Sequence, residues 1–188
     1  MATIKDDFLS IGITPSWTLL RMGWEGLGKD KRRFVSRGDI ESFAYDAVSQ
    51  ADAKSAVHIA QLSDCATLSD ENIGYLLGKL AREPAESDTL KWQVLLLSRI
   101  LSEMKDMDSV KGLTALTEFW AIWDYPDYMP HIVQGRGNTI AGYDYFSEKH
   151  FHIIIDRHER WIFGCIKWKF SPPPSIASGS AGVPPKPQ

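Results

Sequence analysis

The sequence predicts an all-α fold, a bundle of about seven helices, and three observations carry that expectation. Apolar residues recur at spacings of three and four through most of the first 125 positions. Several of those stretches follow a Ser, Thr or Asp placed to cap a helix. Only one segment, 151–168, also fits a short β-hairpin. With 188 residues, of which 44% are apolar, the chain is long enough to bury one sizeable core. The expected organisation is a helical domain over 1–170 and a tail over 171–188.

Thr14 and Pro15 place a capping hydroxyl beside the residue best suited to a first helical turn, and Trp17, Leu20 and Trp24 follow at helical spacing. This first helix is expected to end near Gly26 or Gly28. The second opens at Ser36, with Asp39 three residues on, and shows a face of Ile40, Phe43, Ala44, Ala47 and Val48. In the third, Ala53, Ala56, Val57 and Ala60 form a small-residue stripe suited to close packing. The fourth has the layout of a hydrophobic staple, Leu68 before Ser69 with Ile73 four residues after the cap, and continues through Leu76, Leu77 and Leu80 until Pro84. Its Gly74 and Gly78, one turn apart, suggest a close helix approach.

The fifth helix, from about Asp88 to Lys105, carries Leu90, Val94, Leu97, Leu101 and Met104, widened by Leu95, Leu96 and Ile100. An apolar face that wide predicts a central place in the bundle. The sixth is capped by Asp108 or Ser109, presents Leu113, Leu116, Trp120 and Trp123, and is expected to stop at Pro126. Residues 135–147 read as a glycine-rich loop. In 148–168, Phe151, Ile154, Ile155, His158 and Ile162 fit a seventh helix, while FHIII and WIFGCIKWKF on either side of DRHER fit a hairpin. The helix is favoured because everything before it is helical. The tail SPPPSIASGSAGVPPKPQ has almost no apolar mass and reads as disordered.

Charge and composition narrow the function classes. A net charge of −3 with a pI near 5.9 gives no general field for nucleic acid or anionic membrane. No apolar run approaches the roughly 18 residues of a membrane span, and MATIKDDFLSIG carries acids where a signal peptide has positive and then apolar residues, so a cytoplasmic protein is expected. Cys65 and Cys165 are expected to be buried thiols.

Candidate chemistry is sparse. His150, His152 and His158 alternate with Glu148, Asp156 and Glu159. On a helix Glu148, His152, Asp156 and Glu159 share a face while His150 and His158 point elsewhere, and the paired histidines four apart of zinc enzymes are missing. A mixed polar face with His158 half buried is the expectation. No metal or cofactor is assigned; a small metal-dependent hydrolase built on 148–159 is the alternative function. The basic run Lys29, Lys31, Arg32, Arg33 and Arg37 is interrupted by Asp30 and reads as a solvated loop rather than a nucleic-acid surface. No nucleophile elbow or phosphate-cradling glycine loop occurs, and neither cysteine has a base close in sequence.

The stretch FWAIWDYPDYMPHIV, 119–133, is different. Trp120 and Trp123 belong to the apolar face of the sixth helix, which leaves Asp124, Asp127 and one or both of Tyr125 and Tyr128 to be displayed at its end, with His131 following. Tyrosines and acids on a rigid turn suit an interface hot spot facing a basic protein. Those five residues are the expected partner-binding site.

The segments TPSWTLLRMGWEG, RGDIESFAYDAV and FWAIWDYPDYMPHIV together resemble an uncharacterised family of small bacterial proteins found beside polymorphic toxin genes. The carrying residues are Trp17, Leu20 and Gly23 in an early W-x-x-L-x-x-G pattern, and Trp123, Asp124, Tyr125, Pro126 and Met129 in a late turn. Where the family's turn runs on into an aromatic-Met-Pro element, this chain continues as HIVQGRG. The resemblance implies an immunity protein that neutralises a cognate toxin. The expected function is therefore non-enzymatic binding of a protein partner, with occlusion as the mechanism.

Overall fold

The computed structural model describes residues 3–170 and contains nine α-helices in that span. The expectation of a disordered tail falls on residues outside the described ones. No strand forms among the described residues; the backbone pairing of Leu27 with Arg32 is an isolated bridge that closes a turn. No helix of the described residues is long and apolar enough to cross a membrane.

Seven of the helices begin where a Ser, Thr or Asp side chain accepts from an otherwise orphaned backbone amide of the first turn. Helix α1, Ile4–Ser10, opens at Thr3 in a capping box with Asp6. Helix α2, Trp17–Glu25, is capped by Ser16, whose Oγ accepts from the amide of Leu19; the expected cap at Thr14 lies outside the helix. Helix α3, Arg37–Ala47, has the expected box of Ser36 and Asp39. Helix α4, Ala53–Leu62, is capped by Asp52, α5, Asp70–Leu80, by Ser69, and α7, Ser109–Ile122, by Asp108.

Helix α6, Glu86–Glu103, starts two residues before Asp88, whose carboxylate instead reaches back to the amide of Ala85 at 3.0 Å. A single turn, α8, Gly142–Tyr145, lies in the stretch expected to be loop. Helix α9, Glu148–Gly164, is capped by Ser147 and runs on as a π-helical segment, Cys165–Phe170, so the hairpin alternative is not formed.

Buried side chains from α1 through the end of α9 make one continuous cluster. Helix α6 is its axis: Leu90 and every residue from Trp92 to Leu97 are buried. Around it, α2 packs on α5 and on α6, α3 packs on α4, and α7 and α9 pack on each other and on α6. Trp92 anchors the middle, with its indole N–H donating to the carbonyl of Leu19 at 3.1 Å and its ring edge-on to Phe8 at 4.9 Å. That ring lies against Gly23, where a Cβ would stand 2.5 Å from it. The glycine that closes the W-x-x-L-x-x-G pattern is thus the opening that admits Trp92.

Three packing expectations are corrected. The stripe Ala53, Ala56, Val57 and Ala60 does not face the core; Val57 is 60% exposed and α4 buries Ile59 and Leu62 instead. Neither Gly74 nor Gly78 marks an approach that needs a glycine: a Cβ at Gly78 would meet nothing within 4 Å, and one at Gly74 would stand at ordinary contact, 3.9 Å from the Trp24 indole nitrogen. Val48 leaves the α3 face for a following 3-10 turn and is exposed. In each case spacing identified the helix, and the neighbours decided which side it buries.

Two residues of the basic run are structural, while Lys29, Lys31 and Arg32 are exposed. Arg33 lies over the Trp24 ring at 3.8 Å and pairs with Asp70 at 2.9 Å. Arg37 donates to the carbonyls of Cys65 and Leu68 at 2.6 Å each and also pairs with Asp70. These contacts tie the turn after α2 and the start of α3 to α5.

Candidate functional site

Helix α7 ends four residues before Pro126, earlier than the proline rule predicts, because the chain turns left-handed at Asp124 (φ 58°) and Tyr125 (φ 50°). The amide of Tyr125 donates back to the carbonyl of Trp120 at 3.0 Å, and that of Asp124 to Ala121 at 3.2 Å. This is the Schellman arrangement, with Asp124 in the position glycine usually takes. From the other side, the amide of Lys29 donates to the carbonyl of Ile122 at 2.8 Å. Gly28 permits that approach, because its φ is 67° and a Cβ there would stand 2.2 Å from the Ile122 side chain. The basic loop and the aromatic-acid turn, nearly a hundred residues apart in sequence, are neighbours in space.

The five expected site residues divide. Asp124 and Asp127 are exposed, Tyr125 is half-buried against the core, and Tyr128 keeps 37% of its surface. Tyr128 is also pinned: its hydroxyl donates to Gln93 on α6 at 3.1 Å and its ring stacks on Trp161 of α9. The Arg136 guanidinium sits over the Tyr125 ring at 4.5 Å. His131, only 4% exposed, lies inside the protein and is not displayed with the others, because Thr117 and Tyr145 draw its ring inward.

Beneath the turn is a polar network that the sequence did not announce. Trp120 of α7 donates its indole N–H to His158 Nε2 at 3.0 Å, and His158 Nδ1 lies 2.7 Å from the carbonyl of Ile154. His158 therefore carries its proton on Nδ1. Its surface is wholly covered, where a half-buried ring was expected. Burial pushes its pKa down to about 4.

His131 is the opposite tautomer. Its Nε2 faces the hydroxyls of Thr117 at 2.9 Å and Tyr145 at 3.5 Å. Those hydroxyls give their own protons to the carbonyls of Leu113 and Ile132, so Nε2 must donate and Nδ1 is left as a lone pair. That Nδ1 is buried and accepts from nothing among the described residues; Trp123 Nε1, at the end of α7, is likewise buried without an acceptor among them, and His150 Nε2 is buried without a hydrogen-bond partner there. Burial, with smaller contributions from His158, His150 and Arg157, pushes the His131 pKa down to about 3, so the ring is neutral at physiological pH.

His131 also lines a cleft of about 420 Å³ between the turn and the loop that follows it, with Tyr125, Asp127, Met129, Arg136 and Asn138 among its walls. The loop is held in shape by Asn138, which donates to the carbonyls of Val133 and Arg136 and accepts from the amide of Ile140.

The 148–159 residues of the alternative reading do not converge. His158 spends both ring nitrogens internally, His152 is exposed, and no group of three metal-capable side chains forms among the described residues.

Fold and site together define an all-helical protein that displays an acidic, aromatic turn over a buried histidine network. The chain belongs to the family described as "Uncharacterized protein conserved in bacteria (DUF2247)", whose model matches residues 5–164 and so spans both motifs that carried the resemblance. No curated protein and no solved structure matches the chain.

Proposed function

We propose that this chain is a protein-binding module whose partner-facing surface is the turn Asp124–Tyr128, and that its partner is a toxin neutralised in the cytoplasm by occlusion. One observation carries the assignment of the surface: unrelieved free energy is concentrated there. Two consecutive non-glycine residues are left-handed, and a buried donor, Trp123 Nε1, and a buried acceptor, His131 Nδ1, neither with a partner among the described residues, flank them. Left-handed backbone at such residues costs on the order of 1 to 2 kcal/mol each, and unmet buried polar atoms cost about 1 to 3 kcal/mol. A fold that carries such costs at an exposed acidic turn has a use for that geometry. Rigid presentation also favours binding, since little ordering remains to be done on association.

The test is co-expression with the product of an adjacent toxin gene, comparing the natural chain with the charge-neutral double variant Asp124→Asn, Asp127→Asn. The expected result is a stoichiometric complex that protects the host cell, weakened in the variant by roughly 1 to 4 kcal/mol and more sensitive to salt in the natural chain. An equally tight complex in the double variant would move the surface elsewhere. Failure to bind or protect against any adjacent toxin would sink the immunity role.

A further inference from the structure

Helix α6 is enclosed over only part of its length. Leu90 and Trp92–Leu97 are buried, but from Ser98 to Glu103 no residue of the helix is, although Ile100 and Leu101 continue its apolar stripe. The uncovered stretch forms one wall of a groove of about 440 Å³, and α7 forms the other. The lining positions, 96, 99, 100 and 103 on α6 and 115, 118, 119 and 122 on α7, repeat the three-and-four spacing by which helices pack into one another.

The two ends of the groove differ in charge. The Phe34 ring lies 6.2 Å from Trp92, one turn before Leu96, and Arg32 lies over Phe34 at 5.3 Å, which puts Arg32 at the Leu96 end. Glu103 stands at the other end, about 10 Å or two helical turns along α6. Both are exposed and neither forms an ion pair among the described residues, whereas the second lining arginine, Arg99, pairs with Asp7. An occupant must satisfy its own backbone, because both walls are helices whose amides and carbonyls are already paired; a helix does so and an extended strand does not.

We infer that this groove seats a two-turn stretch of an amphipathic helix of the protein partner, apolar towards Ile100 and Ala115, with an acid at the Arg32 end and a lysine or arginine at the Glu103 end. The assignment rests on the partner-binding reading and names the element by which the partner docks. Trp123, which lines the groove immediately before Asp124, makes it continuous with the turn. No wall has to move, since the groove is present in the structure as it stands.

The experiment uses the isolated full chain, so it does not depend on having the partner. A phage-displayed library of helical peptides of about 15 residues, long enough to hold a helix, carries leucines at helical spacing and varies the flanking positions among Glu, Lys and Gln. It is selected against the natural chain and counter-selected against Ala115→Arg, whose long side chain enters the groove from a half-buried position. The expected winners carry Glu at one end and Lys at the other, and bind Ala115→Arg several-fold more weakly. Arg32→Glu makes both ends acidic and should select Lys at both; Glu103→Lys makes both ends basic and should select Glu at both. These two substitutions fall on exposed residues without ion pairs, so the fold survives them. No enrichment, winners that bind Ala115→Arg equally, or charge preferences that ignore the two reversals would overturn the inference. So would a dimer of the natural chain in sedimentation that Ala115→Arg dissociates, because the occupant is then a second copy. A chain that binds the toxin through Asp124 and Asp127 yet selects no helix keeps the partner-binding reading and loses this one.

Discussion

Asp124 occupies a backbone conformation in which glycine would be relaxed, and Asp is among the few other residues that visit it at all. Asp124→Gly is therefore expected to raise stability by about 0.5 to 1 kcal/mol while weakening partner binding, and paired denaturant melts and binding curves check both halves. A loss of stability would mean that the aspartate side chain supports the turn. At Trp120, what matters is the indole N–H. Trp120→Phe keeps an aromatic ring in the core but leaves His158 Nε2 with no donor, and a destabilisation of roughly 2 to 4 kcal/mol is expected from the unmet acceptor and the lost volume together. A cost below about 1 kcal/mol would show that the network adapts. The tautomers of His131 and His158 were illegible in the sequence, since each is fixed by partners from other elements: Thr117 and Tyr145 for one, Trp120 for the other.

At the scale of elements, glycines separate what periodicity reads from what it misses. Gly78 sits on an exposed stretch of α5 with open space where a Cβ would go, so Gly78→Ala is expected to stabilise the protein by up to about 1 kcal/mol. Gly112 of α7 is the contrasting case, because a Cβ there would stand 2.4 Å from the Phe151 ring of α9. Gly112→Ala is expected to destabilise by roughly 1 to 3 kcal/mol through overpacking. Thermal melts of the two alanine variants should move in opposite directions, and a shared direction would contradict the packing of α7 on α9. Seven helices were legible from spacing and caps, α9 among them once the helix was preferred to the hairpin, though their bounds shifted by a few residues. Helix α1 was missed although Thr3 and Asp6 spell a capping box, because only Ile4 and Phe8 mark its apolar face. Helix α8 is one turn long, too short for any periodicity to show.

Across the whole molecule, the buried histidines predict a stability that depends on pH. His131 and His158 have folded pKa values of about 3 and about 4, below the ordinary histidine value near 6.5. Between those limits the unfolded chain binds more protons than the folded one, so stability is full above about pH 6.5 and falls as the pH drops towards 4. At pH 5 the loss is about 2 kcal/mol for each ring, on the order of 4 kcal/mol together. Denaturant melts at pH 7 and pH 5 measure it. Imidazole resonances that titrate near pH 6.5 would show that the two rings are not sealed as described. Circular dichroism of the intact chain is expected to show a helical spectrum, and a β-dominated one would contradict the fold.

The sequence by itself determined that the chain is helical, where most of its helices lie and that α6 is the central one. All of these follow from local rules, in which neighbours three or four residues apart decide propensity, capping and amphipathic face. Tertiary structure alone decided the rest. It brought the basic loop at Lys29 onto the end of α7, buried His131 while leaving Asp124 and Asp127 outside, and joined Trp120 to His158 across 38 residues. The physical reason is that a buried polar atom is defined by which partner reaches it, and those partners come from helices that meet only when the core closes.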